Sequence, residues 1–275
     1  MNTSAPQRGA RVVLVTGASS GIGQACALHL AERGFRVFGT SRQVSGEAEG
    51  PLERVPMDVD DDASVDSGVA AVLEKAGRLD AVINNAGYSL AGPVEDTTIA
   101  EAKAQLETNF FGVLRVCRAV LPTMREQRHG YIINISSLAG VFGLPFAGLY
   151  SASKFALEGM SESLRFETRP HGIHVVLVQP GDFRTRITQR RRIAGAGHVS
   201  EAYRAMFARF HARQERDEAG APTPEPIARL VERILNHPRP RLRYPIGLAS
   251  QRIVVPLKSY LPQRVFEWLS WKLLG

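Results

Sequence analysis

A chain of 275 residues that is 44% hydrophobic and 22% charged is long enough to bury its own core, which excludes disordered, collagen-like and disulfide-stapled classes. Its net charge of +7 is uneven: residues 180–275 carry 18 Lys/Arg against 8 Asp/Glu, whereas residues 1–179 carry 16 against 19. No apolar run reaches the roughly 20 residues of a membrane span, and the polar opening MNTSAPQRGAR has no signal-peptide core, so a cytoplasmic protein is expected.

Residues 1–10 read as a loose tail. RVVLVTG (11–17) is a β-branched run closed by glycine, the pattern of a buried strand. IGQACALHLAERG (22–34) has helical spacing and ends on a glycine suited to a C-cap. RVFGTS (36–41) and LERVPMDV (52–59) read as strands two and three. DDASVDSGVAAVLEKAG (61–77) is a helix whose acidic start suits the helix dipole. LDAVINNAG (79–87) is a fourth strand and turn, and 98–127 a long helix broken near Asn109. GYIINISS (130–137), the helix 149–168 and GIHVVLVQPG (172–181) follow. This alternation predicts an α/β fold: a doubly wound, mostly parallel Rossmann sheet in three layers. After 181 the chain is charged and helical, with a helix at 224–237, a last strand at 241–247 and one or two amphipathic helices over 249–274. One domain over 11–275 is expected, with 186–222 as a substrate lid and 249–275 as a helical extension. Cys26 and Cys117 lie in apolar helical stretches and read as buried free thiols in a reducing compartment.

TGASSGIG (16–23) sits between a strand and a helix. Gly17, Gly21 and Gly23 allow a tight turn, close approach to a pyrophosphate and close helix packing. The free N–H groups and positive end of the helix then receive the phosphates. The bland reading is a flexible turn, but the strand-before, helix-after context favours a dinucleotide site. After the second strand the chain reads GTSRQ, with Arg42 and no carboxylate. A planar guanidinium suits a 2′-phosphate, and Ser19 and Ser20 add hydroxyl donors. The cofactor is read as NADP(H), with NAD(H) as the alternative.

Tyr150 and Lys154, in YSASK (150–154), lie four apart and share a helix face. The pair is either an idle surface contact or a means of making a phenol more acidic through a neighbouring ammonium.

Taken together, TGASSGIG, NNAG (84–87), the asparagine of TNFFG (108–112), NISSLAG (134–140), YSASK and PG (180–181) resemble the short-chain dehydrogenases/reductases, in order over 11–181. The stretch GLPFAGLYSASKFALEGMSESLRFE is most similar to the hydroxysteroid and retinol dehydrogenase branch. The resemblance implies an enzyme acting on CH–OH groups, with Asn109, Ser137, Tyr150 and Lys154 as the catalytic four. It chooses Ser137 over Ser136, because the family's serine stands thirteen residues before its tyrosine. It implies that Gly17, Ser19, Ser20, Gly21, Ile22 and Gly23 line the cofactor phosphates and ribose, and that Asp58 and Val59 hold the adenine. Asn85, Ala86 and Gly87 would run along the cofactor. Pro180, Gly181 and Thr185 would meet the nicotinamide, whose ribose Lys154 would hold. Asn109 would hold a water that links Lys154 to solvent. A homodimer or homotetramer is implied as well.

Phe142, Leu144, Phe146 and Phe183 are candidate substrate residues, with Tyr203, Phe207 and Phe210 in the lid. They suit a steroid-, retinoid- or lipid-like alcohol or ketone, or else are ordinary core. His198 and His211 lack ligand spacing, so no metal is expected. The basic run RRR (190–192) is too short to imply nucleic acid. The tail around Trp268 and Trp271 is expected to pack on protein rather than to touch a membrane. The rival to an enzyme is a non-catalytic nicotinamide redox sensor.

Overall fold

The structure is a computed structural model that describes residues 9–43, 52–185 and 191–274. Most of the expected tail (1–8), the first part of the expected lid (186–190) and Gly275 lie outside the described residues. The first half alternates as predicted: β1 (Val12–Val15), α1 (Gly21–Glu32), β2 (Arg36–Ser41), β3 (Leu52–Pro56), α2 (Asp62–Ala76) and β4 (Ala81–Asn84). It continues through β5 (Leu90–Ala91), α3 (Ile99–Leu106), a π-helical turn (Glu107–Phe111), α4 (Gly112–Gln127), β6 (Gly130–Ile135), α5 (Gly148–Thr168) and β7 (Ile173–Pro180). After these come β8 (Arg192–Ile193), α6 (Glu201–Gly220), α7 (Glu225–Leu235) and β9 (Arg243–Ile246). Three short helices close the chain: α8 (Ala249–Arg252), α9 (Val254–Tyr260) and α10 (Gln263–Leu274).

Seven strands form one sheet in the order β3-β2-β1-β4-β6-β7-β9, every pair parallel. Val13 stands opposite both Val37 and Ala81, and Ile133 opposite both Ile83 and Val176. Such strands need cover on both faces. One face packs Leu30, Ile133, Ile227, Val231 and Ile234 against α1 and α7. The other packs Phe38, Val116, Val120, Ile132 and Leu157 against α2, α4 and α5. Burying each large side chain contributes about 1.5–3 kcal/mol. The strand order reverses between β1 and β4, and in sheets of this kind ligands bind outside the carboxyl ends of the strands at that reversal.

Two features were not legible in the sequence. The break expected near Asn109 is a π-helical turn rather than a chain interruption. Two-residue strands β5 and β8 pair in parallel, tying the base of the expected lid to the segment after NNAG. Each is too short to carry a period.

Candidate active site

The turn between β1 and α1 is shaped by contacts that only glycine permits. Gly17 has φ +64°, and a Cβ on Gly23 would stand 2.3 Å from Asn85 Nδ2 and 2.5 Å from the Gly17 carbonyl. The buried Thr16 hydroxyl accepts from the backbone N–H groups of Asn85 (2.9 Å) and Ala86 (3.0 Å). Asn85 Nδ2 donates back to the Thr16 carbonyl at 2.9 Å. These bonds fasten Asn85, Ala86 and Gly87 to the glycine turn. Thr16 opens the TGASSGIG motif, whose glycine spacing alone does not reveal this role. At the start of α1, Ser20 is extended and makes no side-chain cap bond, and the first turn holds no acidic residue. Ser19 is exposed and Gly21 and Ile22 are half-buried, so the helix N-terminus is open to an anion.

Arg42 is exposed directly after β2, and its charge acts on the carboxyl of Asp60. Burial pushes that carboxyl up, while the Thr108 hydroxyl, donating at 2.9 Å, pulls it down. Asp58 Oδ1 accepts from the Asp60 N–H at 3.2 Å. The N-cap of α2 is Asp61, which accepts from Ser64 N at 2.6 Å, so Asp58 is not that helix's cap. Val59 is buried, and its side chain lies against Gly112.

The four candidate catalytic groups gather above the ends of β4 and β6. Ser136 points into the core, with its hydroxyl buried and without a hydrogen-bond partner. Ser137 is half-buried; its hydroxyl accepts from the Ala139 N–H at 3.1 Å, lies 3.5 Å from the Pro180 carbonyl, and lowers the Tyr150 phenol. Lys154, 7% exposed, sits 5.8 Å from the Tyr150 ring centroid and donates to the Ile135 carbonyl at 2.8 Å. Burial pushes its ammonium down to about 8, partly offset by Glu158. Burial likewise pushes the Tyr150 phenol up; the Ser137 hydroxyl and Arg191 pull it down, while Glu218 and Asp182 push it up. The sequence reading expected Lys154 to lower the phenol. Desolvation is the largest cause acting on the phenol and outweighs the favourable contacts around it.

Asn109 is buried inside the π-helical turn. Its Nδ2 donates to the Tyr88 carbonyl (3.0 Å) and to Ser153 Oγ (3.1 Å), and its Oδ1 accepts from Tyr88 N at 3.1 Å. It therefore braces the segment after NNAG against α5, through Tyr88 and Ser153, neither of which the sequence had suggested.

Pro180 ends β7, and Gly181 donates to the Ile246 carbonyl at 2.8 Å. Thr185 lies against the start of α1, where a Cβ on Gly21 would meet it at 3.3 Å. Asp182 and Gln251 bond reciprocally, at 3.1 Å from the Asp182 N–H and 2.5 Å from Gln251 Nε2. Arg191 and Glu218 form a buried ion pair. Of the candidate substrate residues, Phe142 and Phe146 line a groove beyond this site, and Leu144 packs on the cluster of Leu138, Phe142 and Phe266. Phe183 does not join them. It is buried in the core layer beneath α1 and α7, because the chain after β7 turns back over that face of the sheet. Phe207 and Phe210 of α6 stack on Phe146 with centroids at 5.5 and 5.7 Å. Tyr203 instead bonds Glu95 at 2.6 Å.

This arrangement of glycine turn, open helix end and Ser–Tyr–Lys group can be compared with known proteins. Residues 11–194 match the family model described as short chain dehydrogenase. The chain belongs to that family. It is 42% identical over 258 residues to the 3-ketodihydrosphingosine reductase of Bacteroides thetaiotaomicron, covering 94% of this chain and 96% of that protein. It is 35% identical over 251 residues to estradiol 17-beta-dehydrogenase 1 of Rattus norvegicus, covering 85% and 72%. The solved short-chain dehydrogenase of Streptomyces avermitilis superposes with a TM-score of 0.82 at 32% identity, covering 96% of this chain and 97% of that one. This short-chain dehydrogenase is thus an oxidoreductase acting on hydroxyl and keto groups. Among its described residues no helix is long and apolar enough to cross a membrane.

Proposed function

We propose that this chain, as a single catalytic domain over 11–275, transfers hydride between NADP(H) and a lipid-like secondary alcohol or ketone. The observation that carries the reading is the buried Lys154 beside the Tyr150 ring at 5.8 Å, with the Ser137 hydroxyl lowering the Tyr150 phenol, at the foot of a loop whose Phe142 and Phe146 line an aromatic groove. The residues present fit a dinucleotide: an uncapped α1, the room that Gly17 and Gly23 leave, and the fastened Asn85–Gly87 segment.

The bound nicotinamide supplies the hydride. Tyr150 gives its phenolic proton to the carbonyl oxygen, or takes the hydroxyl proton in the reverse direction. Ser137 holds that oxygen beside the phenol and stabilises the charge that develops on it. Lys154, whose ammonium loses its proton at about 8, is charged at neutral pH. It stabilises the phenolate left behind, and its Nζ would hold the ribose of a bound cofactor. Asn109, bonded to Ser153 of α5, would hold the water that links Lys154 to solvent.

Arg42 and the absence of a carboxylate in Thr40–Gln43 favour a 2′-phosphate, hence NADP over NAD. The two cysteines remain buried thiols, each pushed up to about 12 by burial, which suits a reducing cytoplasm. Exposed Phe155 and Phe166 on α5 support a homo-oligomer formed through that helix.

The test is turnover of NADPH with long-chain and steroidal ketones. Tyr150→Phe should lose at least the ~10²–10⁴-fold typical of acid/base catalysis while NADPH still binds. Arg42→Ala should lower the preference for NADPH over NADH. If wild type binds NADPH tightly yet turns over no ketone or alcohol, the chain is a redox sensor instead.

A further inference from the structure

Beyond the catalytic groups lies a groove of about 990 Å³ between α6, α10 and the loop that joins Ser137 to Tyr150. That is the upper end of the range for small-molecule sites, roughly 300–1,000 Å³. Phe142, Phe146, Phe210, Phe266, Trp268 and Trp271 give it an aromatic lining. Phe146 is held at φ +53°, a conformation that is costly for a bulky residue and that clusters at ligand-binding sites. The charged lining is one-sided. Arg209, Arg213, Arg216, Lys258 and Arg264 face a single carboxylate, Glu267. Arg209, Arg213 and Arg216 follow at three- and four-residue steps, so they form one stripe along α6. Among the described residues, Arg213 pairs with exposed Asp217 at 3.7 Å. Lys258 is held by the Val141 carbonyl.

We propose that this groove binds the body of a single amphiphile with a long apolar chain and an anionic head, carboxylate or phosphate, received by the arginine stripe of α6. The proposal rests on the reading that the groove serves the Tyr150 site, and it names the substrate class of that site. An apolar chain removes the aromatic lining from water. The head meets at least three guanidiniums, which bind carboxylate and phosphate oxygens in matching planar geometry. A cationic head would meet like charge, so a long-chain amine is disfavoured.

The chain has two tryptophans, Trp268 and Trp271, and both line the groove. Intrinsic fluorescence therefore reports its occupation without cofactor or turnover. The full chain is titrated with monomeric oleate, oleyl phosphate, oleyl alcohol and oleylamine. The two anions should shift the emission saturably and bind at least ~tenfold tighter than the alcohol, with the amine weakest. Raising the salt to about 1 M should shrink that gap, because exposed charges are then screened beyond about 3 Å. Whichever of oleate and oleyl phosphate binds tighter identifies the head. The triple variant Arg209→Gln, Arg213→Gln, Arg216→Gln should bind oleate no better than the alcohol. The wild-type head-group series decides even if that variant misfolds. Equal affinity for alcohol or amine, or no emission change with any monomeric amphiphile, overturns the proposal. A change seen only with anionic vesicles also overturns it, assigning the surface to a bilayer. None of these outcomes bears on NADPH turnover, on which the oxidoreductase reading stands or falls.

Discussion

Lys154 is the residue at which function and stability conflict. Its ammonium is buried among protein atoms and bonded to one carbonyl, and burial depresses it from 10.5 to about 8. Between those values the unfolded chain holds the proton more tightly than the folded one, so stability rises as pH climbs through that window. Below about 8 the folded state carries the full cost of the buried charge. Lys154→Met should therefore unfold several degrees above wild type at neutral pH, with the gap closing as pH approaches 10.5, while turnover is lost. Thermal unfolding of both proteins at two pH values checks this; a gap independent of pH would refute the buried-charge account. The identity of Tyr150, Lys154 and Ser137 was legible from the ordered motifs. Their electrostatics were not, because desolvation depends on what packs around a group and not on its neighbours in the chain.

At the scale of elements, the helix 98–127 is where sequence and structure diverge most usefully. A capping box starts it, with Thr98 accepting from Glu101 N and Glu101 accepting from Thr98 N. The break that the sequence places near Asn109 is real, but its form is a π-helical turn over five residues, Glu107–Phe111, which spacing alone does not specify. Such turns occur at functional sites, and here the widening lets Asn109 reach Tyr88 and Ser153. Asn109→Ala would strand the Tyr88 N–H beside the site, while the Tyr88 carbonyl keeps its bond from Gln105 Nε2 at 3.0 Å. Leaving a buried group unpaired costs about 1–3 kcal/mol. The variant should lower the denaturation midpoint and slow turnover, and Asn109→Asp should restore only the bond from Tyr88 N. A midpoint equal to wild type would show that water replaces the side chain.

At the scale of the whole molecule, the described residues expose large apolar side chains outside the sheet's cores, on α5 and on the C-terminal tail among other places. On α5, Phe166 is 71% exposed and Phe155 41% exposed. If α5 forms the subunit contact, Phe166→Glu should shift the protein to a smaller species by light scattering; an unchanged mass would place the contact elsewhere. In the tail, Trp268 and Trp271 are 56% and 67% exposed. The sequence reading packed this tail on protein. Phe266 does pack, against Leu138 and Phe142, but the tryptophans border the groove instead. An amphipathic stripe states that one face is apolar and cannot state what meets it. The sequence by itself determined the parallel sheet, the glycine turn and the order of the candidate catalytic residues, because strand periodicity and turn chemistry are local. Only the tertiary structure decided that Phe183 is core, that Phe146 lines a groove and that the arginines of α6 face it. Those outcomes depend on which distant segments meet, and spacing along the chain carries no information about that.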